Sequence, residues 1–375
     1  MTVLHLTRDL APSGVGGLST AVYGLVHSLA AVGCPGAVAS FDRWRPKAQP
    51  GPDASPPEVA EEEGVPVLRL RYASHLPALT AWISTLKPSV ICVHDALLWS
   101  TLSTLPVTPE ATLYVAHVAQ QHTSRMRGLE VPTMGAAGER QALYEATAVV
   151  APSRAAAMAL EAERHVHVLP LGIDVPERAP TGLPATQTVV YVGRLGDIKG
   201  TDVLLDAAHA TLSARPSLRW MIVGGLPAHQ KAERRWRRRW DRLAGPLAPR
   251  LQWRGWLEGE ALSLAYADAT TVVVPSRFET FGQVPLEAGA HGRAVVASNA
   301  GALSEHIEHG ITGLLVPPGD AGALVEALGT VLDDADLARS LGGHAAARAQ
   351  GHRWSAVAPR WQALFDTLAS ALGAR

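Results

Sequence analysis

The chain has 375 residues, 47% hydrophobic and 18% charged, with a formal net charge of −1. That length can bury two cores, and the balanced charge exerts no general pull on nucleic acid or anionic lipid. Two cysteines, Cys34 and Cys92, exclude a disulfide framework, and no apolar run reaches the ~18 residues that nominate a membrane span.

In chain order, Met1 to Leu6 alternates like a first strand and lacks the charged start and long apolar core of a signal peptide, so a cytoplasmic protein is expected. Strand Val3 to Thr7 is followed by the glycine-rich turn Gly14-Val-Gly-Gly17 and a helix from Leu18 to Ala31, closed by Gly33. Leu18, Val22, Leu25 and Leu29 form its apolar stripe. The turn does not fit the dinucleotide fingerprint G-x-G-x-x-G, because position 19 is Ser. Further strands are predicted at Gly36 to Ser40, Val67 to Leu70, Val90 to Val93, Thr112 to Ala116 and Ala148 to Ala151. The segment Arg45 to Pro66, rich in proline and acidic residues, reads as a mobile insertion.

Asp174 to Gln187, with Pro176, Pro180 and Pro184, reads as a linker. After it come predicted strands Thr188 to Val192, Leu218 to Val223, Leu251 to Trp253, Thr270 to Val274, Ala294 to Ala297 and Gly313 to Val316. Strand and helix patterns alternate in both halves, which argues for α/β units with two parallel sheets. Lys231 to Trp240 is an arginine-rich helix with Trp236 and Trp240 four apart on one face. Such a helix either packs its tryptophans on a core or meets an anionic surface. Past Trp354, Val357, Trp361, Leu364, Leu368 and Leu372 recur at helical spacing.

The chemistry concentrates in Ser276-Arg-Phe-Glu-Thr-Phe-Gly-Gln-Val-Pro-Leu-Glu-Ala-Gly289. Glu279 lies in a strand-to-helix loop, Gly282 lets backbone approach a ligand at the helix start, and Glu287 lies more than a turn into the helix. Two carboxylates eight positions apart are double acceptors for vicinal hydroxyls, one for a sugar ring and one for a ribose. Arg194 and Lys199 follow the first strand of the second half, where a pair of fixed cations either lies on the surface or stabilises negative charge that grows on a leaving group. No His, Cys and acidic residues recur at metal-ligand spacing, so no metal and no cofactor are expected, the two cations taking the electrostatic role of an ion.

These residues, with Tyr191-Val-Gly-Arg-Leu195, Lys199-Gly200, Val168-Leu-Pro-Leu-Gly-Ile-Asp174, Ala294-Val-Val-Ala-Ser-Asn-Ala-Gly301, Glu305 and Gly310 to Pro318, resemble the retaining glycosyltransferases of family 4 and their E-x7-E motif. The resemblance is specific from about Val149 to Trp354. It implies the GT-B fold, two Rossmann-like doubly wound domains facing across a cleft. The expected division is an acceptor-side domain at 1–175, a nucleotide-sugar domain at 176–355 and a helix at 356–375 crossing back to the first domain. It implies transfer of a hexosyl group, with retention and without metal, from a nucleoside-diphosphate sugar, UDP favoured, to a hydroxyl of a small molecule or glycan.

Under the same resemblance, Gly16, Gly17, Arg194, Lys199, Phe281, Gly282 and Glu287 line the donor. His117, Arg194, Lys199 and Glu279 serve the reaction. His94, Asp95 and Arg125 are acceptor candidates, although Asp95 suits a helix cap equally. Three departures stand out: Ala294 where proline is frequent, Ala300-Gly301 for Gly-Gly, and Gly289 for a larger apolar residue. Two alternatives remain. The Gly-Gly and His-Asp features are similar to those of glucan synthases using ADP- or UDP-glucose, and a catalytically silent GT-B subunit would bind a partner. Peripheral membrane contact and nucleic acid are not the expected partners.

Overall fold

The computed structural model describes residues 2–373 without 12–15, 43, 45–47, 49–55, 108, 130–132, 178–181 and 226–229, and at 230–232 and 372–373 it describes backbone alone. Gly14, Val15 and Pro180 therefore lie outside the described residues, as does the side chain of Leu372. Two compact units are present, one of Met1–Gly172 with Trp354–Arg375 and one of Ile173–Arg353.

The first unit runs β1 (Val3–Thr7), α1 (Gly17–Ala31), β2 (Gly36–Ser40), β3 (Val59–Glu62), β4 (Val65–Arg69), α2 (Leu76–Leu86), β5 (Val90–Val93), α3 (Ala96–Thr104), β6 (Ala111–Val115), α4 (Gln120–Met126), α5 (Met134–Glu145), β7 (Ala148–Ala151), α6 (Arg154–Ala159) and β8 (His167–Val168). These strands form one sheet in the order β3-β4-β2-β1-β5-β6-β7-β8. Every residue of β1, β2, β5 and β7 is buried, as expected of parallel strands covered on both faces. Val22, Leu25 and Leu29 of the α1 stripe are buried, while Leu18 is only partly covered and packs beside the cluster of Leu10, Val26, Val38 and Val67.

Within the expected mobile insertion, residues 59–66 instead form β3 and the start of β4. These pair antiparallel through a two-residue turn whose Glu63 and Gly64 have φ of 48° and 80°. Positive φ at both central positions is the hairpin geometry that matches strand twist. Arg69 then ties the hairpin to the sheet by bonding Glu62 (2.6 and 2.8 Å) and Asp42.

The second unit runs β9 (Thr188–Val192), α7 (Thr201–Ala214), β10 (Arg219–Val223), α8 (Gln230–Ala244), β11 (Leu251–Gly255), α9 (Gly259–Ala267), β12 (Thr271–Val274), α10 (Gln283–Ala290), β13 (Ala294–Ser298), α11 (Leu303–His306), β14 (Leu314–Val316), α12 (Ala321–Asp333) and α13 (Ala335–Gln350). Its parallel sheet has the order β11-β10-β9-β12-β13-β14. In α8, Trp236 and Trp240 are buried in the core with Trp220 and Leu251, which removes both as membrane anchors. Its arginines lie around the rest of the helix, Arg239 bonding Asp206 and Arg237 lying over Trp253. The unexpected Gly289 has a packing reason. A Cβ there would lie 2.9 Å from the Ala345 carbonyl oxygen, so α10 and α13 approach more closely than a side chain permits.

The last helix, α14 (Trp354–Gly373), belongs to the first unit and begins two residues before the expected position 356. Trp354 sits where Gly24 and Gly172 leave space, since a Cβ on either would come within 2.4 Å of its ring. Trp361 donates through Nε1 to the Pro170 carbonyl (2.8 Å), and Gln362 to that of Val32 (3.2 Å). The units divide at 172/173 and at 353/354, where the sequence reading set 175/176 and 355/356.

Candidate active site

In the second unit, two strand-to-helix loops meet. The β9–α7 loop carries Arg194 and Lys199, and it is shaped by Tyr191, whose buried hydroxyl donates to the Arg194 carbonyl (2.6 Å). Gly200 caps α7 with φ of 65°, and a Cβ there would lie 2.0 Å from the Pro275 carbonyl oxygen. The Lys-Gly pair is thereby explained, because only glycine lets this loop close onto the end of β12.

On the β12–α10 loop, Glu279 Oε1 accepts from Lys199 Nζ at 2.6 Å and from Ser276 Oγ at 2.7 Å. Both side chains of the ion pair are partly shielded, with 25% and 13% exposure for Lys199 and Glu279. The Glu279 carbonyl accepts from Ala302 N (2.9 Å), and a Cβ on Gly301, whose φ is 57°, would lie 2.2 Å from that carbonyl oxygen. Gly301 thus retains the one glycine of Ala300-Gly301 that the geometry requires. The Arg194 guanidinium is exposed and has no partner among the described residues.

Gly282 caps α10 in the left-handed region (φ 84°), and Phe281 beside it is buried edge-on to His306, ring centres 4.8 Å apart. Glu287 accepts from Tyr266 Oη at 2.6 Å. Burial raises its carboxyl pKa above the usual range, the Tyr266 bond opposes the rise, and Asp174 adds to it. Oε1 of Glu287 and Oε2 of Glu279 have no partner among the described residues, so each carboxylate keeps acceptor capacity.

Within the first unit, Gly16 caps α1 with φ of 112°, and Gly17 opens its first turn. His117 follows β6, His94 follows β5 and His5 lies within β1. His5 Nδ1 and His94 Nε2 are 2.9 Å apart, and so are His94 Nδ1 and His117 Nε2. The expected contact of His94 with an acceptor is therefore corrected. Its ring is buried and both nitrogens are engaged, because β5 is a central strand with neighbours on both sides. Asp95 caps α3 by accepting from Leu97 N (2.8 Å) and lies 3.5 Å from Arg8. Arg125, on α4, pairs with Glu161 at 2.7 Å, both well exposed.

Three features escaped the sequence reading. Arg277 holds Asp202 with two bonds of 2.7 Å and the Asp197 carbonyl with another of 2.7 Å, bracing the Lys199 loop against the Glu279 loop. The signal was present as an Arg beside Phe278-Glu279, but its partner lies 75 positions away. Glu139, buried on α5, accepts from the backbone N–H groups of Gln120 and Gln121 (2.8 and 2.9 Å) and so caps α4. His5, Cys92 and His94 bring their ligand atoms within 4.8 Å of one another, a cluster the sequence spacing did not show. The physical reason is register, since His5 and Cys92 are partners on adjacent parallel strands and His94 is two residues on.

A family model described as Glycosyltransferase Family 4 matches residues 15–177, and one described as Glycosyl transferases group 1 matches residues 186–334. Among relatives, a D-inositol 3-phosphate glycosyltransferase of Nocardia farcinica is 35% identical over 257 residues, 63% of this chain and 55% of that protein. A protein of the same name from Corynebacterium glutamicum is 33% identical over 192 residues, 50% of this chain and 46% of its own. The chain thus spans about half the length of the curated relatives it matches. Among solved structures, a sucrose-phosphate synthase from Thermosynechococcus elongatus aligns over 99% of this chain and all of its own, with TM-score 0.82 and 24% identity. Anabaena Alr3699/HepE, solved in complex with UDP and glucose, aligns over 98% of this chain and all of its own, with TM-score 0.77 and 20% identity. Each half of this chain is thus similar to a glycosyltransferase family model, and the whole has the two-domain GT-B fold.

Proposed function

We propose that the protein is a retaining, metal-independent glycosyltransferase that moves a hexosyl group from a nucleoside-diphosphate sugar to a hydroxyl acceptor, forming an α-glycosidic bond. The observation that carries this reading is the Lys199–Glu279 pair, 2.6 Å apart, with Arg194 on the same loop as the lysine. An ammonium has three donors and only one is spent on Glu279, so two remain for diphosphate oxygens. Arg194 adds a fork-shaped donor set suited to phosphate. Glu279 turns its second oxygen to the hydroxyls of the sugar, and Glu287 serves the ribose in the same way.

As the sugar–phosphate bond breaks, charge grows on the leaving diphosphate. The two cations stabilise that charge more than the ground state, which is the electrostatic part of the rate enhancement. Gly282 and the start of α10 add backbone N–H donors, and Phe281 is the apolar contact beside them. Gly16 and Gly17, where the first turn of α1 leaves its N–H groups unpaired by the helix, are assigned to the same donor. His117 is assigned to orienting the reacting groups. No carboxylate is assigned as a nucleophile, so the leaving phosphate assists deprotonation of the acceptor on the same face.

The test is thermal stability with excess UDP, GDP, ADP and TDP in the presence of chelator. UDP is expected to act most strongly, in line with the UDP bound by the HepE structure. Nucleotide at ~100 times its dissociation constant adds about 2.7 kcal/mol, and Glu287→Ala should abolish the shift. If no nucleotide raises Tm without metal, the metal-independent donor site is refuted. A product sugar with inverted anomeric configuration would refute retention.

A further inference from the structure

The loop that carries Glu279 lies along the segment leading into and through α11. The Glu279 carbonyl accepts from Ala302 N (2.9 Å), and a Cβ on Gly282 would lie 3.2 Å from Leu303 Cδ2 and 3.7 Å from His306 Cδ2. Phe281 and His306 stand edge to face with ring centres 4.8 Å apart, and the His352 ring stands at 89° to His306, 5.1 Å away. The side chain behind Phe281 and Gly282 is thus an imidazole in a place that an apolar residue would fill at less cost.

His306 is 6% exposed, and both of its nitrogens are shielded from solvent without a hydrogen-bond partner. Burial first, then His352 and Arg348, hold its pKa down at about 3, and against them only the Phe281 backbone favours the proton. The ring is therefore neutral and carries one N–H, an orphaned buried donor.

The peptide between Phe281 and Gly282 has the complementary deficit. In a helix that begins at Gln283, the Phe281 carbonyl would accept from the residue four positions on, which is Pro285 and has no N–H. Among the described residues, neither that carbonyl nor the Gly282 N–H takes part in a backbone bond. A trans peptide points its C=O and N–H to opposite sides, so when the Gly282 N–H faces a ligand the Phe281 carbonyl faces away from it.

We propose that His306 is a positioning residue for the donor, its ring N–H bonding the Phe281 carbonyl once the Gly282 N–H, on the other side of the same peptide, meets a diphosphate oxygen. This rests on the donor role given to Gly282 above. The two bonds polarise the shared peptide and strengthen each other, so the buried imidazole backs the N–H that holds the leaving group. The cost of the orphaned donor is carried by the free protein and removed on binding, which ties the order of the loop to the presence of the donor.

Calorimetry with UDP in the presence of chelator tests the proposal. His306→Leu removes the N–H and should weaken UDP binding about tenfold, the size of one net hydrogen bond. Its Tm without nucleotide should stay level or rise, because an unmet buried polar group is gone. His306→Gln keeps an N–H on a side chain of similar reach and should recover most of the affinity. A ring that only fills space gives the opposite pattern, a lower Tm in both variants with UDP affinity unchanged. In ¹H–¹⁵N spectra of histidine-labelled wild type, the ring N–H of His306, assigned by its loss in His306→Gln, should move downfield when UDP is added. An unmoved His306 signal in UDP-saturated protein overturns the proposal, and so does wild-type affinity in folded His306→Leu. If the wild type binds no nucleotide, the donor reading falls and the proposal with it. If UDP binds the wild type and both variants alike, the proposal alone falls.

Discussion

The two units place their functional side chains by opposite means. In the second, Lys199 and Glu279 lie on loops directly after β9 and β12, adjacent strands of one sheet. Each is solvated enough to meet a ligand, and each is announced by its own short motif. In the first, His5, His94 and His117 belong to three neighbouring strands and the loops after them and bond one another in a row. Only His117 is more than marginally exposed, being partly buried while the other two are enclosed. Charge that must meet a diphosphate is kept at loop ends, whereas a neutral polar row can be buried because its members pair internally. The consequence is that the second unit should be sensitive to loss of charge and the first to protonation of its buried rings.

The strongest test of that contrast is Arg194→Ala. With its guanidinium unpaired among the described residues, truncation breaks no internal ion pair and should leave Tm nearly unchanged. The expected loss in kcat is on the order of a hundredfold or more, the scale of removing one preorganised transition-state donor. Activity within a few-fold of wild type would place the diphosphate elsewhere. The contrast sharpens if His5→Phe, a change at a fully buried strand position, shows the reverse pattern, a smaller loss in kcat with a larger change in Tm.

Legibility in the sequence followed the same division. Strand positions were readable nearly throughout because parallel strands buried on both faces are continuous apolar runs, as in Val90 to Val93. The exceptions are informative. β3 has only exposed or partly covered residues, so it lacks an apolar run, and β8 is two residues long. Gly200 and Gly301 could be noticed but not explained, since each is required by a carbonyl distant in sequence, that of Pro275 or Glu279. The Glu pair and the Arg and Lys were legible because a loop after a strand keeps its chemistry within a few residues. His5 was not, since 89 positions separate it from the ring it bonds and an apolar strand interior gives a histidine no visible purpose.

An intermediate effect is expected from pH. His5 and His117 titrate near 6.5 in the unfolded chain, and in the fold their values fall to about 3 and about 4. As pH drops below 6.5 the unfolded chain takes up protons that the folded chain refuses. The stabilising contribution is therefore complete above pH 6.5 and is lost as pH falls from there toward 4. In the second unit, His306 is lowered to about 3 and His291 is also lowered, both chiefly by burial. Amide exchange resolved by unit should thus show both losing protection between pH 7 and pH 5, the first unit more steeply. The slope of the first unit should flatten in His5→Phe. An equal slope in that variant would mean that His5 is not the group being protonated.

The smallest effect is expected at the brace between the two loops of the second unit. Arg277 and Asp202 are about one-third exposed, at 32% and 30%, and joined by two bonds of 2.7 Å. The pairing holds the Asp202 carboxyl below the usual range. A partly exposed bidentate pair contributes little to global stability, so Arg277→Ala should move Tm by no more than about 2–4 °C. Its effect on the reaction is positional. Without the guanidinium, the Lys199 loop keeps the backbone bond from Arg277 N to the Ile198 carbonyl (2.8 Å) but loses the side-chain bonds to the Asp197 carbonyl and Asp202. Lys199 should then sample geometries away from Glu279, lowering kcat/KM a few-fold, roughly 0.5–1 kcal/mol. Asp202→Asn, which keeps one acceptor oxygen for the guanidinium, should lose less. Full activity in Arg277→Ala would show that the Ile198 backbone bond and the closure of Gly200 onto Pro275 already fix the lysine. In that case the order in the second unit would come from its backbone, not from paired charges.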